Sequence, residues 1–568
     1  MATTSAAKPY PWLKFYPKGV PYEINPDIFS SLVEMMEDGF RRFADQPAYS
    51  CMGKVLTFRE MDELSRQFAS YLQNDLKLQK GDRVAIQMPN LLQYPVAIFG
   101  ILRAGMVVAN TNPLYTPREM QHQFKDSGAK AIIILSNFAH NLQKIIDQTD
   151  IQHVIVTQIG DLLGFPKKLI VNAVVKYVKK MVPDYQLPQA VSFADALSRG
   201  SRTAPQPVKV TGQDLAFIQY TGGTTGVSKG AMLSHRNIVA NVEAMSLWMF
   251  SSKKTDDQDV IVAALPLYHI YALTVNALSA LRSGAMNLLI TNPRDMNAFI
   301  DDLKKNRFTI FVGLNTLYNG LLNNPRINEV DFSHMRISSA GGMALQTAVA
   351  ERWQKLTGML IAEGYGLSET SPVLSSNPCD GTARLGTIGV PFPSTELKIM
   401  QEDGTEAPLG TPGELWARGP QVFPGYFNRP DETAKVMEGE WFKTGDIAVM
   451  DEDGFFRIVD RKKDMILVSG FNVYPNEIED VIAKCPGVAE VACIGVPDEK
   501  STEAVKVFVV KKDPDLTAEN ILSYCRENLT NYKRPRHIEF RAELPKTNVG
   551  KILRRSLRDE ELARLNGK

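Results

Sequence analysis

The sequence predicts an α/β protein with a large N-terminal domain of α/β layers, a small antiparallel, β-barrel-like subdomain and a small α+β C-terminal domain. The chain has 568 residues, which is more than a single hydrophobic core supports. Over the first part of the chain, apolar segments with helical spacing alternate with short apolar runs, and the pattern changes near residue 385. The expected domains are residues 1–459, which include the β subdomain at 385–459, and residues 460–568.

Three segments of the N-terminal part illustrate the alternation. Residues 56–78 carry apolar side chains at helical spacing. Residues 81–90 begin with a Gly-Asp turn, continue as a short apolar strand and end at Pro89. Residues 129–136, AKAIIILS, form an apolar run that is typical of a strand buried on both faces. This pattern predicts mainly parallel sheets covered by helices.

The region after residue 385 has a different residue pattern, with short segments separated by frequent turn signals. Turn signals such as Asp403-Gly404 and Pro412-Gly413 recur at intervals of about eight to twelve residues, which is typical of a small antiparallel sheet. Residues 460–464, DRKKD, are consecutive charged residues between this region and the C-terminal pattern. A charge run is usually a solvated surface, and a solvated segment between two folded units is also where a hinge would lie.

Composition excludes several classes of protein. The formal net charge is +1, so the global balance predicts no attraction to nucleic acid. The five cysteines are scattered and lack metal-ligand spacing, which favours free thiols in a reducing cytoplasm. We identify no apolar core of signal-peptide length and no membrane-spanning window, so a cytoplasmic protein is expected.

The most informative stretch is residues 220–230, YTGGTTGVSKG, which follows an apolar strand. Glycines let the backbone approach a phosphate, and amide and hydroxyl groups then donate to its oxygens. The alternative is a flexible surface loop. The order of residues matches neither the Walker A motif nor the dinucleotide fingerprint. The candidate phosphate ligands of this loop are Thr221, Gly222, Gly223, Thr224, Thr225, Gly226, Ser228 and Lys229.

This loop resembles the phosphate loop of the acyl-adenylate-forming superfamily, which contains acyl-CoA synthetases, luciferases and peptide-synthetase adenylation domains. The resemblance extends over nearly the whole chain, and it implies ATP, Mg²⁺ and coenzyme A as cofactors and co-substrates. Within GYGLSETSP, residues 364–372, it implies that Tyr365 stacks on adenine and that Glu369 holds Mg²⁺ together with Thr224. The nucleotide-binding residues implied elsewhere are Gly341, Gly342, Gly364, Gly366, Ser368, Asp446, Ile458 and Arg461.

The catalytic residues implied by the resemblance are Lys551, Glu369, Thr224 and His269. Lys551 lies in PKTNVGKILRR, and fixed positive charge there would stabilise the negative charge that develops as the carboxylate attacks the α-phosphate. His269 lies in LPLYHIYAL, where a histidine is more often packed in a core; we assign it to substrate positioning.

The resemblance also implies that the C-terminal domain is mobile. It would rotate about Asp460, so that Lys551 leaves the site and a face around Ser469 and Gly470 lines the route of coenzyme A.

The whole-length resemblance is to the bacterial long-chain acyl-CoA synthetases, which implies a long-chain fatty acid as substrate and a role in fatty-acid uptake and β-oxidation. The alternatives are an adenylating ligase for a medium-chain or aryl acid, a peptide-synthetase-type module, and a fatty-acid-binding protein with a degenerate ATP site. A homodimer stays open as an oligomeric state.

Residues 165–183, FPKKLIVNAVVKYVKKMVP, carry five lysines and no acidic residue. The apolar positions on one predicted helical stripe are Ile170, Ala173, Val174, Tyr177, Val178 and Met181. Two interpretations are open: an ordinary helix whose stripe packs in the core, or a basic amphipathic helix that contacts an anionic membrane. The second predicts peripheral association with the inner membrane.

Overall fold

A computed structural model describes residues 10–221, 228–251, 253, 257–498, 501–547 and 550–565. Two large sheets form the N-terminal domain, as the alternating pattern predicted. The first has seven strands, all parallel except for the final antiparallel pair. In spatial order its strands are Val191–Ser192, His153–Thr157, Ala129–Leu135, Arg83–Gln87, Val107–Asn110, Leu215–Thr221 and Lys229–Ser234.

The second sheet has nine strands, with a parallel centre and antiparallel strands at both edges. In spatial order its strands are Val390–Pro391, Val373–Ser376, Ile361–Gly366, Ile337–Ala340, Ile310–Gly313, Val260–Ala263, Met286–Leu289, Pro47–Cys51 and Lys54–Thr57. Gly364, Tyr365 and Gly366 therefore end a strand, whereas their sequence indicated a turn.

Helices cover both sheets. The α-helices before residue 440 are Leu32–Arg42, Phe58–Ser70, Gln93–Arg103, Pro117–Ser127, Ala139–Gln143, Lys167–Ala173, Phe193–Gly200, His235–Phe250, Ile270–Ala272, Ser279–Ser283, Met296–Lys305, Asn315–Asn323, Thr347–Thr357 and Pro430–Val436. The helix predicted within residues 56–78 begins at Phe58, because Thr57 and Glu60 form a capping box, and it continues into a π-helical turn at Tyr71–Asp75.

The β subdomain is an antiparallel sheet of five strands, Glu396–Met400, Gly413–Arg418, Met437–Glu438, Trp441–Met450 and Phe456–Arg461. Within the described residues its first and last strands do not pair with each other, so the sheet is open where a barrel-like shape was predicted. The last strand ends at Arg461, which places Asp460 at the exit from this subdomain.

The C-terminal part has its own sheet and its own core. Its strands are Phe471–Val473, Ile466–Val468, Thr502–Lys511, Val488–Asp498 and His537–Arg541, and its helices are Pro475–Ala483, Ala518–Asn528 and Arg554–Leu565. One buried apolar cluster extends from Trp12 to Phe455, and a separate one extends from Ile466 to Leu529. This separation confirms a large α/β unit followed by a small α+β unit.

All five cysteines are free thiols, and four of them are buried. Within the described part of the chain, we find no helix whose length and apolar character would let it cross a bilayer.

Candidate functional site

The glycine-rich loop joins two antiparallel strands at the edge of the seven-stranded sheet. Thr221 ends one strand and pairs in register with Lys229, which begins the next. Five of the predicted phosphate ligands lie outside the described residues: Gly222, Gly223, Thr224, Thr225 and Gly226. The carbonyl oxygen of Ser228 lies 3.0 Å from His122 Nε2, which ties the end of the loop to the helix Pro117–Ser127.

Lys229 projects toward the segment that follows the β subdomain's second strand. Its ammonium group forms an ion pair with Glu432 and lies 5.1 Å from the centroid of the Tyr426 ring. The hydrogen bond from Lys229 lowers the pKa of Glu432 to about 2. The cation of Lys229 is therefore held at the loop by a carboxylate and an aromatic face.

Glu369 lies in the 3₁₀ turn Ser368–Thr370 and is buried. The hydroxyl of Tyr426 donates a hydrogen bond of 2.7 Å to its Oε1 atom, and burial raises the pKa of the carboxyl group. Tyr426 thus touches Glu369 with its hydroxyl and Lys229 with its ring, so it links the predicted metal ligand to the predicted phosphate ligand.

The surroundings of Glu369 suit a shared metal site. We find no group of three or more His, Cys, Asp or Glu side chains that would enclose a metal within the described ranges. Mg²⁺ usually takes one or two carboxylates and completes its shell with substrate phosphates and water. A single buried carboxylate, on a turn that contacts the two strands flanking the predicted phosphate loop, fits that pattern.

Tyr365, Asp446 and Arg461 form one contiguous group. The Tyr365 hydroxyl donates to Asp446 Oδ2 at 2.5 Å, and Arg461 Nε lies 3.4 Å from Asp446 Oδ1. Asp446 and Arg461 are register partners in neighbouring antiparallel strands of the β subdomain. The residues predicted for adenine and for ribose therefore meet, although 81 residues separate Tyr365 from Asp446.

The predicted glycines mark places where the backbone approaches its neighbours closely. A Cβ atom on Gly341 would lie 3.0 Å from the Tyr271 ring and 3.2 Å from the Gly364 carbonyl oxygen. A Cβ atom on Gly366 would lie 1.9 Å from the Pro372 carbonyl oxygen, so packing requires glycine there whether or not a ligand binds. Gly342 adopts a positive φ of 77°.

His269 begins the short helix Ile270–Ala272. Its Nδ1 atom accepts a hydrogen bond of 3.2 Å from the Tyr271 amide. Burial, together with the positive charge of Lys551, lowers the pKa of His269 to about 4. The imidazole is therefore neutral near pH 7, which suits a positioning role better than acid–base chemistry.

Lys551 comes from the C-terminal domain but lies against the large domain. Its amide donates to Thr547 Oγ1 at 3.0 Å, and a Cβ atom on the preceding Gly550 would lie 2.8 Å from Thr316 Oγ1 of the large domain. The positive charge of Arg461, with burial, lowers the pKa of Lys551 to about 7. This conformation thus brings Lys551 within electrostatic reach of Arg461, Asp446 and His269.

Asp460 departs from the interpretation of the charge run as a solvated surface, although Lys462 and Lys463 of the same run are exposed. It is 1% exposed, and its carboxylate accepts hydrogen bonds from Arg554 Nη1 at 2.9 Å and from the Asn476 amide at 2.8 Å. Arg554 also pairs with Glu479 at 2.6 Å. Each partner lies in the C-terminal domain, so the side chain at the predicted hinge is anchored in that domain.

The cluster around Lys551 does not include Ser469, Gly470 or Ile458. Ser469 and Gly470 form an exposed turn between Ile466–Val468 and Phe471–Val473. Ile458 pairs with Ala448 and packs against the core of the β subdomain.

The sequence interpretation missed Tyr426, Glu432, His122 and Arg554. Tyr426 and Glu432 lie in PGYFNRPDET, where neither spacing nor glycine content indicates a site. Arg554 is one of several basic residues at the start of the last helix, and only its burial distinguishes it.

Residues 36–427 match the AMP-binding enzyme family, and residues 477–551 match the AMP-binding enzyme C-terminal domain. A long-chain-fatty-acid–CoA ligase of Escherichia coli O6:H1 is 58% identical over 557 residues, which cover 98% of this chain and 99% of that protein. The Bacillus subtilis protein of the same name is 38% identical and covers 97% of this chain and 98% of its own. Among solved structures, a benzoate CoA ligase from Burkholderia xenovorans LB400 has a TM-score of 0.79 at 26% identity, with 93% of this chain and 100% of that chain covered.

Proposed function

The chain belongs to the AMP-binding enzyme family, and from this premise we propose that it is a ligase that joins a long-chain fatty acid to coenzyme A. The reaction consumes ATP, passes through acyl-AMP, and releases pyrophosphate and AMP. The observation that carries the proposal is the contiguous group of Lys551, Arg461, Asp446 and Tyr365, which spans both domains. It presents a cation beside residues suited to an adenosine group.

In the first half-reaction the fatty-acid carboxylate would attack the α-phosphorus of ATP. A new bond forms between carboxylate oxygen and phosphorus, and the bond to the pyrophosphate oxygen breaks. Lys551 would stabilise the negative charge that develops there. Its pKa of about 7 describes the protein without nucleotide; bound phosphates would raise the pKa, because an opposite charge favours the ammonium form.

Glu369 and Thr224 would hold Mg²⁺, which supplies positive charge that neutralises the phosphates and the departing pyrophosphate. Glu369 would use the oxygen that Tyr426 does not engage. Thr221, Thr225 and Lys229 would contact phosphate oxygens, and for this Lys229 must exchange its partner Glu432 for phosphate.

Asp446 and Arg461 would bind the ribose, and Tyr365 would stack on adenine beside the glycines of Gly341–Gly342 and Gly364. A hydrogen bond of 2.5 Å between Tyr365 and Asp446 supports this assignment, because it joins the residue proposed for adenine to a residue proposed for ribose. His269, neutral near pH 7, would orient the acyl carboxylate.

The second half-reaction needs room for a thiol where Lys551 lies. We propose that the C-terminal domain rotates about Asp460 and brings the exposed turn of Ser469 and Gly470 toward the reacting centre. The thiol sulfur of coenzyme A then attacks the acyl carbon, loses its proton, and AMP leaves with the bonding electron pair.

The names of the full-length relatives support the long-chain acid, since six of them are 54–58% identical to this chain. The protein mixed with ATP, Mg²⁺ and coenzyme A should release AMP and form oleoyl-CoA from oleate. Octanoate and benzoate test the alternative ligases for medium-chain and aryl acids. Faster turnover with either of these than with oleate would contradict the proposed acid, and a lack of AMP with all three would contradict the ligase.

A fatty-acid substrate partitions into bilayers, so we also propose that the protein works in peripheral association with the inner membrane. A homodimer remains a further proposal, and sedimentation at several protein concentrations would test it.

A further inference from the structure

The most exposed apolar surface of the described chain belongs to the segment at residues 165–181. It is helical from Lys167 to Val178, as an α-helix at Lys167–Ala173 and a π-helical turn at Val174–Val178, and none of these residues is buried. The stripe that could have packed in the core is therefore turned outward. Six of its large apolar side chains are 51–85% exposed, namely Phe165, Leu169, Ile170, Tyr177, Val178 and Met181.

This segment is attached to the domain by polar contacts and by Val171, a half-buried side chain that packs against the core of the large domain. Asn172 accepts a hydrogen bond of 2.7 Å from the Gly160 amide and donates one of 3.2 Å to Asp161. The Met181 carbonyl oxygen accepts a 3.0 Å bond from Asn137. A helix held by its polar side leaves the apolar side free for a partner, and an exposed apolar patch of this kind marks an interaction site.

The lysines that flank the exposed apolar side chains indicate an anionic partner. Lys176, Lys179 and Lys180 are exposed, and no described carboxylate forms an ion pair with them. Residues 162–183 contain five lysines and no acidic residue. An apolar face flanked by cations complements a surface with hydrocarbon below negative headgroups.

An open groove of about 600 Å³ runs beside the same helix. Its apolar lining includes Leu169, Ala173, Tyr177, Tyr185 and Leu187, and polar side chains such as Gln158, Asp161 and Asn172 also line it. Because the groove shares side chains with the exposed apolar face, hydrocarbon that contacts the helix could also contact the apolar part of the groove.

We propose that the docking helix, which we define as the helical residues Lys167–Val178 with the flanking residues 165–166 and 179–181, is the surface by which this protein binds anionic phospholipid bilayers. The apolar side chains insert at the level of the headgroups and upper acyl chains, and the lysines contact lipid phosphates. The proposal deepens the membrane association proposed above, and it does not depend on the ligase chemistry, because binding requires neither ATP nor acid.

Co-sedimentation with vesicles tests the surface directly. The protein should bind vesicles of phosphatidylglycerol and phosphatidylethanolamine more tightly than vesicles of phosphatidylcholine, and salt should weaken the binding. The double substitution Lys176→Glu/Lys179→Glu should lower the partition coefficient for anionic vesicles about tenfold or more, since each lysine near the surface contributes to it. Tyr177→Ser/Val178→Ser should lower it for both kinds of vesicle.

Matched controls use exposed residues elsewhere on the chain. Lys305→Glu/Lys355→Glu reverses two exposed lysines, and Leu409→Ser removes an exposed apolar side chain that is 56% exposed. These variants should bind vesicles within about twofold of the wild type. Near-ultraviolet circular dichroism of each variant, together with its thermal unfolding midpoint, reports whether the fold is intact.

Two results would overturn the proposal. One is unchanged vesicle binding in both helix variants. The other is a concentration-dependent dimer in the wild type that both helix variants abolish while vesicle binding persists, which would assign the surface to a second copy of the chain. A wild type that binds vesicles but releases no AMP would leave the docking surface standing and would contradict only the ligase.

Discussion

Arg554 Nη1 donates a hydrogen bond of 2.9 Å to Asp460 Oδ1, across 94 residues of sequence. Asp460 is the predicted hinge, and Arg554 follows Lys551 by three positions at the start of the last helix. Arg554 also bonds Glu479 on the helix Pro475–Ala483. One guanidinium group thus joins the exit of the β subdomain, the first helix of the C-terminal domain and the segment that carries the predicted catalytic lysine.

Replacing Arg554 should weaken the conformation in which Lys551 faces the large domain. Arg554→Gln leaves the buried carboxylate of Asp460 and the partly buried carboxylate of Glu479 without their cation, and breaking a buried pair costs ~3–5 kcal/mol. Acyl-AMP formation should fall about a hundredfold or more. Thioester formation from supplied acyl-AMP should change far less, because it does not need Lys551 in place. Single-turnover assays of the two half-reactions measure both rates.

The control for Arg554 is Arg526→Gln, which removes an exposed ion pair with Glu519 in the same domain. It should leave both half-reactions unchanged. Arg554→Lys should have an adenylation rate between those of the wild type and Arg554→Gln. Lysine supplies the positive charge but lacks the planar guanidinium group that bonds several acceptors at once. Equal losses in both half-reactions of a folded Arg554→Gln protein would contradict a positioning role.

Lys551→Ala should abolish acyl-AMP formation and preserve thioester formation from synthetic acyl-AMP. The reason is that the ammonium group stabilises only the first transition state. Pyrophosphate release measures the first step, and acyl-CoA formation measures the second. Lys546→Ala is a suitable control, since Lys546 pairs with Glu490 nearby. A loss of equal size in both steps would refute the assignment of Lys551 to adenylation alone.

Binding of an acyl-AMP analogue should take up a proton at pH 8. The pKa of Lys551 is about 7 in the free protein, so the amine is mostly neutral at pH 8. A bound phosphate favours the ammonium form and raises that pKa, so the complex gains up to about one proton. At pH 6 Lys551 is already charged and contributes no uptake.

Titration calorimetry in buffers of different ionisation enthalpy measures this uptake. Lys551→Met should remove it at pH 8 and leave the pH 6 result unchanged. Uptake that persists in Lys551→Met would assign the proton to another group.

Tyr426→Phe should shift the acid limb of the pH–rate profile for adenylation to higher pH. Burial already raises the pKa of Glu369, and the Tyr426 hydroxyl stabilises its ionised form through the 2.7 Å hydrogen bond. Without that donor the pKa rises further, so Glu369 becomes protonated at a higher pH as the solution is acidified. The loss of the hydrogen bond should also lower the free energy of unfolding by ~1 kcal/mol.

Rates of pyrophosphate release between pH 5.5 and 8, at several Mg²⁺ concentrations, test the role of Tyr426. Tyr16→Phe removes a hydroxyl that donates a 2.7 Å hydrogen bond to the Pro391 carbonyl oxygen and not to Glu369, and it serves as the control. An acid limb that moves equally in both variants would show that Tyr426 does not act through Glu369.

The sequence by itself determined the fold class, the two-unit organisation and the order of the candidate site residues. Periodicity gave the helix at Phe58–Ser70 and the strand Ala129–Leu135, because side-chain burial repeats with the local backbone geometry. The glycine-rich loop was predicted from residue type and local order, whereas the roles of Glu369 and Lys551 were predicted from the resemblance to the acyl-adenylate-forming superfamily and stay predictions.

Only the tertiary structure decided the partners of those residues. The contacts of Tyr426 with Glu369 and Lys229, and of Arg554 with Asp460, join positions distant in sequence, so no local pattern encodes them. Burial of Asp460 and exposure of the docking helix likewise depend on what the rest of the chain packs against each segment. A charge run and an apolar stripe each fit either surface or core, and packing alone selects between them.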